Sequence, residues 1–374
     1  MKSKLRSKMK STIRIAMRRV TRLYLALILV MCLCCAFCTA CRSDATADKT
    51  KTDPVSTENV TIATETPTEQ TPTEQTPSAQ TAPRLTEIDP YVLSPADKYY
   101  LTDAKMEGYR KALDVIFAHE SEVQLTDSYD DNLAILGYLQ QNPYTFIVSS
   151  YTFTQDHKGL KFQYNYSAEE STEMMEFMEQ EYLTLINDNV TSDMTELEEV
   201  LAIYRYFAER ITYDYDWVEA LNMSDEQYLY PDIVIYQALT TGKGVCHTYT
   251  YLCQFALQQL GIDCVRAQST MTESGTGHMW LIVWIDGKPF HIDPTWDDTG
   301  ENASLRYFGM TDEENIDRGL DDSWGCFIDE ALNITCDDTR FAAWRDITDY
   351  TLIGSHRLQV TREDGSTDII NLAP

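Results

Sequence analysis

Hydrophobic positions change register several times along this chain. An unbroken apolar run, Leu23 to Ala40, gives way to a long polar stretch, and only beyond about Pro90 do apolar residues recur at regular spacing. Met106, Tyr109, Ala112, Leu113, Ile116 and Phe117 fall at helical intervals and predict a helix from Asp103 to about Ser121, with a short second helix around Asn132 to Gln140. Tyr144 to Ser150 and Leu160 to Ser167 are rich in β-branched and aromatic residues and flank Asp156 to Gly159, the pattern of a hairpin. Two further helices are expected over Glu170 to Asn187 and Thr195 to Arg210. The second opens with Thr195 three residues before Glu198, a capping box, and carries Leu197, Val200, Leu201, Tyr204 and Phe207 on one stripe.

A short helix near Asp232 to Leu239 is broken by Gly242 and Gly244, just before the run GVCHTYTYLCQFALQQLG. In that run Val245, Tyr249, Leu252, Cys253, Ala256, Leu257 and Leu260 line one face, and Gly261 supplies a left-handed stop. Next, His278 to Ile285 and Lys288 to Asp293 flank Asp286-Gly287, a strong two-residue hairpin signal. Ile285 then opposes Lys288 and Trp280 opposes Asp293, so His278 and Asp293 are diagonal neighbours on one face of the hairpin. An odd-length turn would put them on opposite faces. A strand at Leu305 to Phe308, a loop-rich acidic region and a last hairpin turning at Asp364-Gly365 follow; that hairpin is expected to complete the sheet or cap the domain.

Charge divides the chain. Residues 1 to 40 hold nine Lys or Arg and no acid; without them 21 basic residues face 59 acidic ones, a formal charge of −38. So acidic a body repels phosphate backbones, which argues against nucleic acid as a partner and favours cationic substrates or amine donors. The basic start and the 18-residue apolar run together read as an export signal or a minimal membrane span. Residues 42–89 are Thr, Glu, Gln, Ala and Pro with little that forms a core. Stretched out, such a linker reaches roughly 160 Å. The remainder divides into an accessory α/β region at 90–168, whose aromatics read as core, a core at 169–310, and a C-terminal extension at 311–374 with its terminal hairpin.

Ten cysteines separate into those of the exported segment and Cys246, Cys253, Cys264, Cys326 and Cys336. Five is odd, which leaves one thiol over in an oxidising exterior; Cys326 and Cys336 are close enough in sequence to bridge. Cys246 sits in the first turn of its helix, where unpaired N–H groups and the positive dipole end favour thiolate over thiol. His278 follows 32 residues on and Asp293 15 beyond that, giving a thiol, a base and an orienter on separate elements. The carboxylate holds the imidazole in the tautomer that takes the thiol proton, and His291, on the same face, is the rival base. The Cys246 backbone N–H is the expected oxyanion donor, with a side-chain donor or pocket wall among Tyr213, Tyr215, Trp217, Gln237, Trp280 and Trp296. No zinc spacing is evident, and the residues imply no cofactor and no metal.

Thr39-Ala40-Cys41 resembles the lipobox of bacterial lipoproteins, with Cys38 where that pattern usually has Leu; the resemblance implies lipidation at Cys41. The segments GKGVCHTYTYLCQFALQQLGIDC and GHMWLIVWIDGKPFHIDPTWDD resemble the transglutaminase-like superfamily of papain-fold enzymes, matched at Cys246, His278, Trp280, Asp293, Pro294, Thr295 and Trp296. The resemblance runs from about Glu196 to Met310. It implies an α+β papain/transglutaminase-like core, with a nucleophile helix packed on an antiparallel β-sheet that carries base and acid. Leu281 stands where the family commonly has Asn, and Thr250 where it often has a small Ala. Together these features lead to the expectation of an exported thiol enzyme anchored to the outer face of a bacterial membrane by lipid or an uncleaved signal. Its substrate would be a surface protein or cell-wall peptide and its chemistry hydrolytic, as a protease or amidase. The alternatives are an amine-accepting cross-linking transferase and a non-catalytic binding or scaffold module; oligomeric state is not readable from the sequence.

Overall fold

A computed structural model describes residues 83–218, 231–269, 277–300, 302–318, 325–326, 334–354 and 356–372. The segment 1–41, expected to be an export signal or membrane anchor, the lipidation candidate Cys41 and residues 42–82 of the expected linker lie outside those residues. No helix among the described residues is long and apolar enough to cross a membrane. The packed chain begins earlier than the return of apolar spacing suggests: Arg84 pairs with Glu199, Leu85 exchanges two hydrogen bonds with Asn187, and Ile88 is buried.

The N-terminal part contains helices α1 (Pro95–Tyr100), α2 (Asp103–Phe117) and α3 (Tyr129–Leu139) and strands β1 (Glu122–Gln124), β2 (Val148–Phe153) and β3 (Gly159–Tyr164), the strands forming a sheet in the order β1-β3-β2. Pro143–Ile147, expected to open a strand, is a 3₁₀ turn instead, because Asn142 accepts the Tyr144 N–H and Pro143 sets its first residue. Its aromatics are core, as expected: Tyr144 packs at a tilt against Phe255 of the following core, and Phe146 stacks on Tyr236. One continuous apolar cluster therefore runs from Ile88 to Val360.

Helices α4 (Ala168–Asn189) and α5 (Glu196–Arg210) open with reciprocal capping boxes, Ser167 with Glu170 and Thr195 with Glu198. After β4 (Thr212–Tyr213) come α6 (Pro231–Thr241), β5 (Lys243–Gly244), which pairs in parallel with β4, and α7 (Cys246–Gln259). Gly261 at φ 79° stops α7 as expected. The main sheet has the order β10-β6-β7-β8-β9: β6 (Cys264–Ser269), β7 (His278–Ile285), β8 (Lys288–Ile292), β9 (Phe308–Met310) and β10 (Gly325–Cys326), every neighbour antiparallel. Asp286 and Gly287 both take positive φ, the geometry of a two-residue primed turn, and Ile285 pairs with Lys288. Leu281, Val283 and Ile285 face α7 in the large cluster, while Trp280 and Ile282 pack on the other face with Val265, Ala267 and Ile334.

The C-terminal hairpin, β12 (Arg357–Arg362) with β13 (Thr367–Asn371), does not extend the main sheet. It joins β11 (Ile347–Leu352), a strand with no strong alternation in the sequence, to make a separate sheet over α5, where Tyr350 donates to the Leu201 carbonyl and His356 pairs with Glu198. The strand expected from Leu305 begins only at Phe308. The side chain of Cys326, and with it the Cys326–Cys336 pairing, lies outside what is described.

Candidate active site

Three elements converge at one end of the main sheet. Cys246 is the first residue of α7, His278 the first residue of β7, and Asp293 follows the last residue of β8. The Val245 N–H is taken by the Thr248 hydroxyl, which closes the helix start, and the Cys246 N–H is among the first-turn amides that have no acceptor four residues back. His278 Nε2–H donates to Asp293 Oδ2 at 2.6 Å, and the Cys246 side chain is near enough to the same ring to raise its affinity for a proton. With Nε2 committed to the carboxylate, Nδ1 is the ring nitrogen available to a neighbouring thiol. All three side chains are buried, with Asp293 completely so.

Burial works against protonation of His278, but the Asp293 charge and hydrogen bond, helped by Cys246, outweigh it and raise the imidazole above its ordinary range. Burial likewise opposes the charge on Asp293; His278 and Arg318 overcome it and hold the carboxyl well below the usual carboxylate range. The other two described thiols in this region behave differently. Cys253 and Cys264 are fully buried, and desolvation pushes both thiols up. They are small core hydrophobes.

Of the pocket candidates, Trp296 is the one set against the imidazole and open to solvent: its ring stacks on His278 at 5.1 Å between centroids and is 37% exposed. Trp280 stacks on the ring too, at 5.9 Å, but it is fully buried and its indole N–H donates to His291 Nδ1, so it offers no oxyanion donor. Tyr213 lies beside Gly244 in the β4–β5 pair, with Tyr215 tilted against it and largely exposed. Trp217 faces His247, the residue after the nucleophile. Gln237 is an exposed position on α6 whose carbonyl receives the Thr240 and Thr241 hydroxyls.

His291, the rival base in the sequence, has both ring nitrogens engaged. Its Nδ1 accepts from Trp280 and its Nε2 lies 2.9 Å from Asp312 Oδ1, and burial lowers its affinity for a proton. His291, Asp312 and Cys336 bring ligand-type atoms within 4.8 Å of one another. The indole N–H, a donor only, obliges Nδ1 to hold the lone pair and Nε2 the proton, so the nitrogen facing Asp312 has no lone pair for a metal. These residues do not fit a cation.

Both departures from the family pattern have structural consequences. Leu281 is buried against the α7 side of the sheet, away from His278. The Thr250 hydroxyl lies 2.9 Å from the Cys246 carbonyl and 3.1 Å from the Met279 carbonyl, tying α7 to β7. Thr250→Val keeps the shape and removes that tie. It is expected to lower unfolding stability by about 1–2 kcal/mol in urea titrations; unchanged stability would show that the hydroxyl holds nothing together.

Two residues without a motif signal complete the site. Asp297, fully buried, receives the Tyr204 and Ser304 hydroxyls and the Tyr307 N–H, and burial still pushes its carboxyl up to about 6. It anchors the loop that follows Asp293. Arg318, one residue beyond α8 (Asp312–Asp317), donates from Nη1 to Asp293 Oδ2 at 2.5 Å. Its signal in the sequence is weak: it is the one basic residue between Arg306 and Arg340, in an acidic stretch.

Residues 184–294 match the model of the transglutaminase-like superfamily, a span that holds Cys246, His278 and Asp293. No curated protein matches the sequence. Among solved structures, the chain is similar to a "Putative Cysteine Protease" from Cytophaga hutchinsonii, with 16% identity and a TM-score of 0.23 over 33% of this chain and 37% of that one. It is also similar to a "TGase", with 19% identity and a TM-score of 0.27 over 39% and 42% of the two chains. The chain thus spans well under half the length of each.

Proposed function

We propose that this protein is a thiol acyl-transfer enzyme. Cys246 attacks the carbonyl carbon of a peptide or amide while His278 Nδ1 takes the thiol proton, and Asp293 steadies the imidazolium through Nε2–H. The Cys246 N–H, at the positive end of α7, stabilises the developing oxyanion. As the tetrahedral adduct collapses, the C–N bond breaks, His278 returns its proton to the leaving amine, and a thioester remains on Cys246. Water then attacks the thioester to release an acid, or a second amine attacks to give a new amide. The observation that carries this reading is the 2.6 Å contact between the buried His278 and Asp293, with the thiol on the same ring.

Hydrolysis of a surface polypeptide or wall peptide is the favoured outcome. It accords with the basic start and apolar run of the first 40 residues, the Thr/Pro/Glu-rich segment after them and the lipobox-like Cys41. Trapping tests it. Wild-type protein exposed to a surface extract, acid-quenched and digested, should carry an acyl mass on the Cys246 peptide that hydroxylamine removes. The acyl mass should be missing from His278→Ala. Addition of a primary amine separates the two outcomes, since a hydrolase releases the acid and a transferase the amine conjugate. A Cys246 peptide that never gains mass would sink the enzyme and leave the binding module.

A further inference from the structure

The Asp293 carboxylate faces more than an imidazole. Its Oδ2 receives both His278 Nε2–H at 2.6 Å and Arg318 Nη1–H at 2.5 Å, while Oδ1 receives the Thr295 N–H at 3.2 Å. One oxygen therefore carries two cation-capable donors. The guanidinium is 5% exposed, and its central carbon stands 5.0 Å from the Trp280 ring and 4.6 Å from the Trp296 ring, the two indoles that also stack on His278. Tyr307 lies 5.8 Å away, and Nε donates to the buried Asn315.

The helix that delivers this arginine is fixed at both ends. Asp312 at its start meets His291 of β8, Glu314 is held by Arg345 through two hydrogen bonds, and Arg318 at its end meets Asp293, two residues beyond His291. Residues 311–318 thus bind the strand end at two points, and they lie outside the matched span that holds the triad.

Resting on the thiol-enzyme reading, we infer that Arg318 is a positioning residue of the triad. Its guanidinium fixes the Asp293 carboxylate and offsets part of its charge, so that His278 takes the thiol proton and still gives it up to the leaving amine. A carboxylate that answered to His278 alone would hold the imidazolium more firmly, and an acid that holds its proton too firmly is a poor donor. Arg318 shares the anion without taking the site of the ring N–H, and the flanking indoles favour both cations. Among the described residues, the charged and titratable groups around the Asp293–His278 pair include Cys246 on α7, His291 on β8, Asp312 on α8, Arg318 after it, Asp297 and Tyr307 in the loop after β8, and Tyr204 on α5. Arg318 is the permanent cation among them.

The test reads the ring itself. In ¹³C-histidine-labelled full-length protein, with His278 assigned by its loss in His278→Gln, the imidazole is titrated in wild type, Arg318→Met and Arg318→Lys. Methionine keeps apolar contact with the indoles and removes the charge, so the midpoint of His278 should move up by about one pH unit; lysine should leave it near the wild-type value. A midpoint unchanged in Arg318→Met, or moved equally by Met and Lys, would overturn the inference, because a purely structural arginine lowers stability without moving that titration. Should Arg318→Met fail to fold, Arg318→Gln against Arg318→Lys gives the same comparison. Failure of the enzyme reading is distinguishable: it appears as absence of the Cys246 acyl mass in wild type, whatever the ring titration does.

Discussion

Cys246→Ala is expected to abolish the acyl mass and to slow turnover of the trapped donor by ~10⁴-fold or more, since a nucleophile acting as one unit with its base leaves only binding and oxyanion stabilisation when removed. His278→Ala should cost a similar factor. The informative variant is the double one: a thiol without its base and a base without its thiol lose the same step, so Cys246→Ala/His278→Ala should be no slower than either alone. Multiplying losses in the double variant would mean that the two side chains act in separate steps, and their closeness would have no catalytic meaning. Folding is not expected to confound the comparison. Alanine at 246 removes one sulfur from a helix start whose closure depends on Thr248 and Val245, and urea unfolding should remain within about 1 kcal/mol of wild type.

The placement of Cys246, His278 and Asp293 at one end of the sheet was legible because the position of each follows from a local rule. The glycines before Cys246 and Gly261 after the helix set its ends, and Asp286-Gly287 admits one register, from which the juxtaposition of His278 and Asp293 follows by counting. The resemblance to a transglutaminase-like core added the expectation that the helix would find the sheet. Arg318 and Asp297 were illegible for the opposite reason. Arg318 reaches Asp293 from 25 residues away through a loop-rich acidic segment with no periodicity, and Asp297 is one acid among several until Tyr204 and Ser304 close on it. Trp280 illustrates a subtler limit: strand alternation puts it on the face of His278, but only the partner strand shows that its N–H is already given to His291. Likewise, β11 has weak alternation and gains its place by pairing with β12 over α5.

Asp293 is where stability and chemistry are most tightly joined, and Asp293→Ala should be the most damaging single change at the site. It leaves the Arg318 guanidinium, 5% exposed, without its carboxylate, and it removes the acceptor of His278. Breaking a buried pair from one side costs about 3–5 kcal/mol, so chemical denaturation should show a loss of that order along with loss of turnover. Asp293→Asn separates the two effects. The amide keeps an acceptor for one donor and most of the shape, and should lose less stability, yet without the charge that stabilises the imidazolium it should still slow turnover by ~10⁴-fold. The pH dependence follows from the same contacts. Asp293 is held at about 2 against an ordinary value near 4, so its contribution to stability is present above pH 4 and lost as pH falls toward 2. His278, raised to about 9, contributes fully below about pH 6.5 and loses that contribution as pH rises through 9. Wild-type stability should therefore decline at both margins. In Asp293→Asn the acid-side decline from this group should vanish and the alkaline one should move down toward neutrality, because the imidazole has lost the charge that raised it; a denaturation profile identical to wild type from pH 2 to 10 would show that carboxylate and ring do not titrate as a pair.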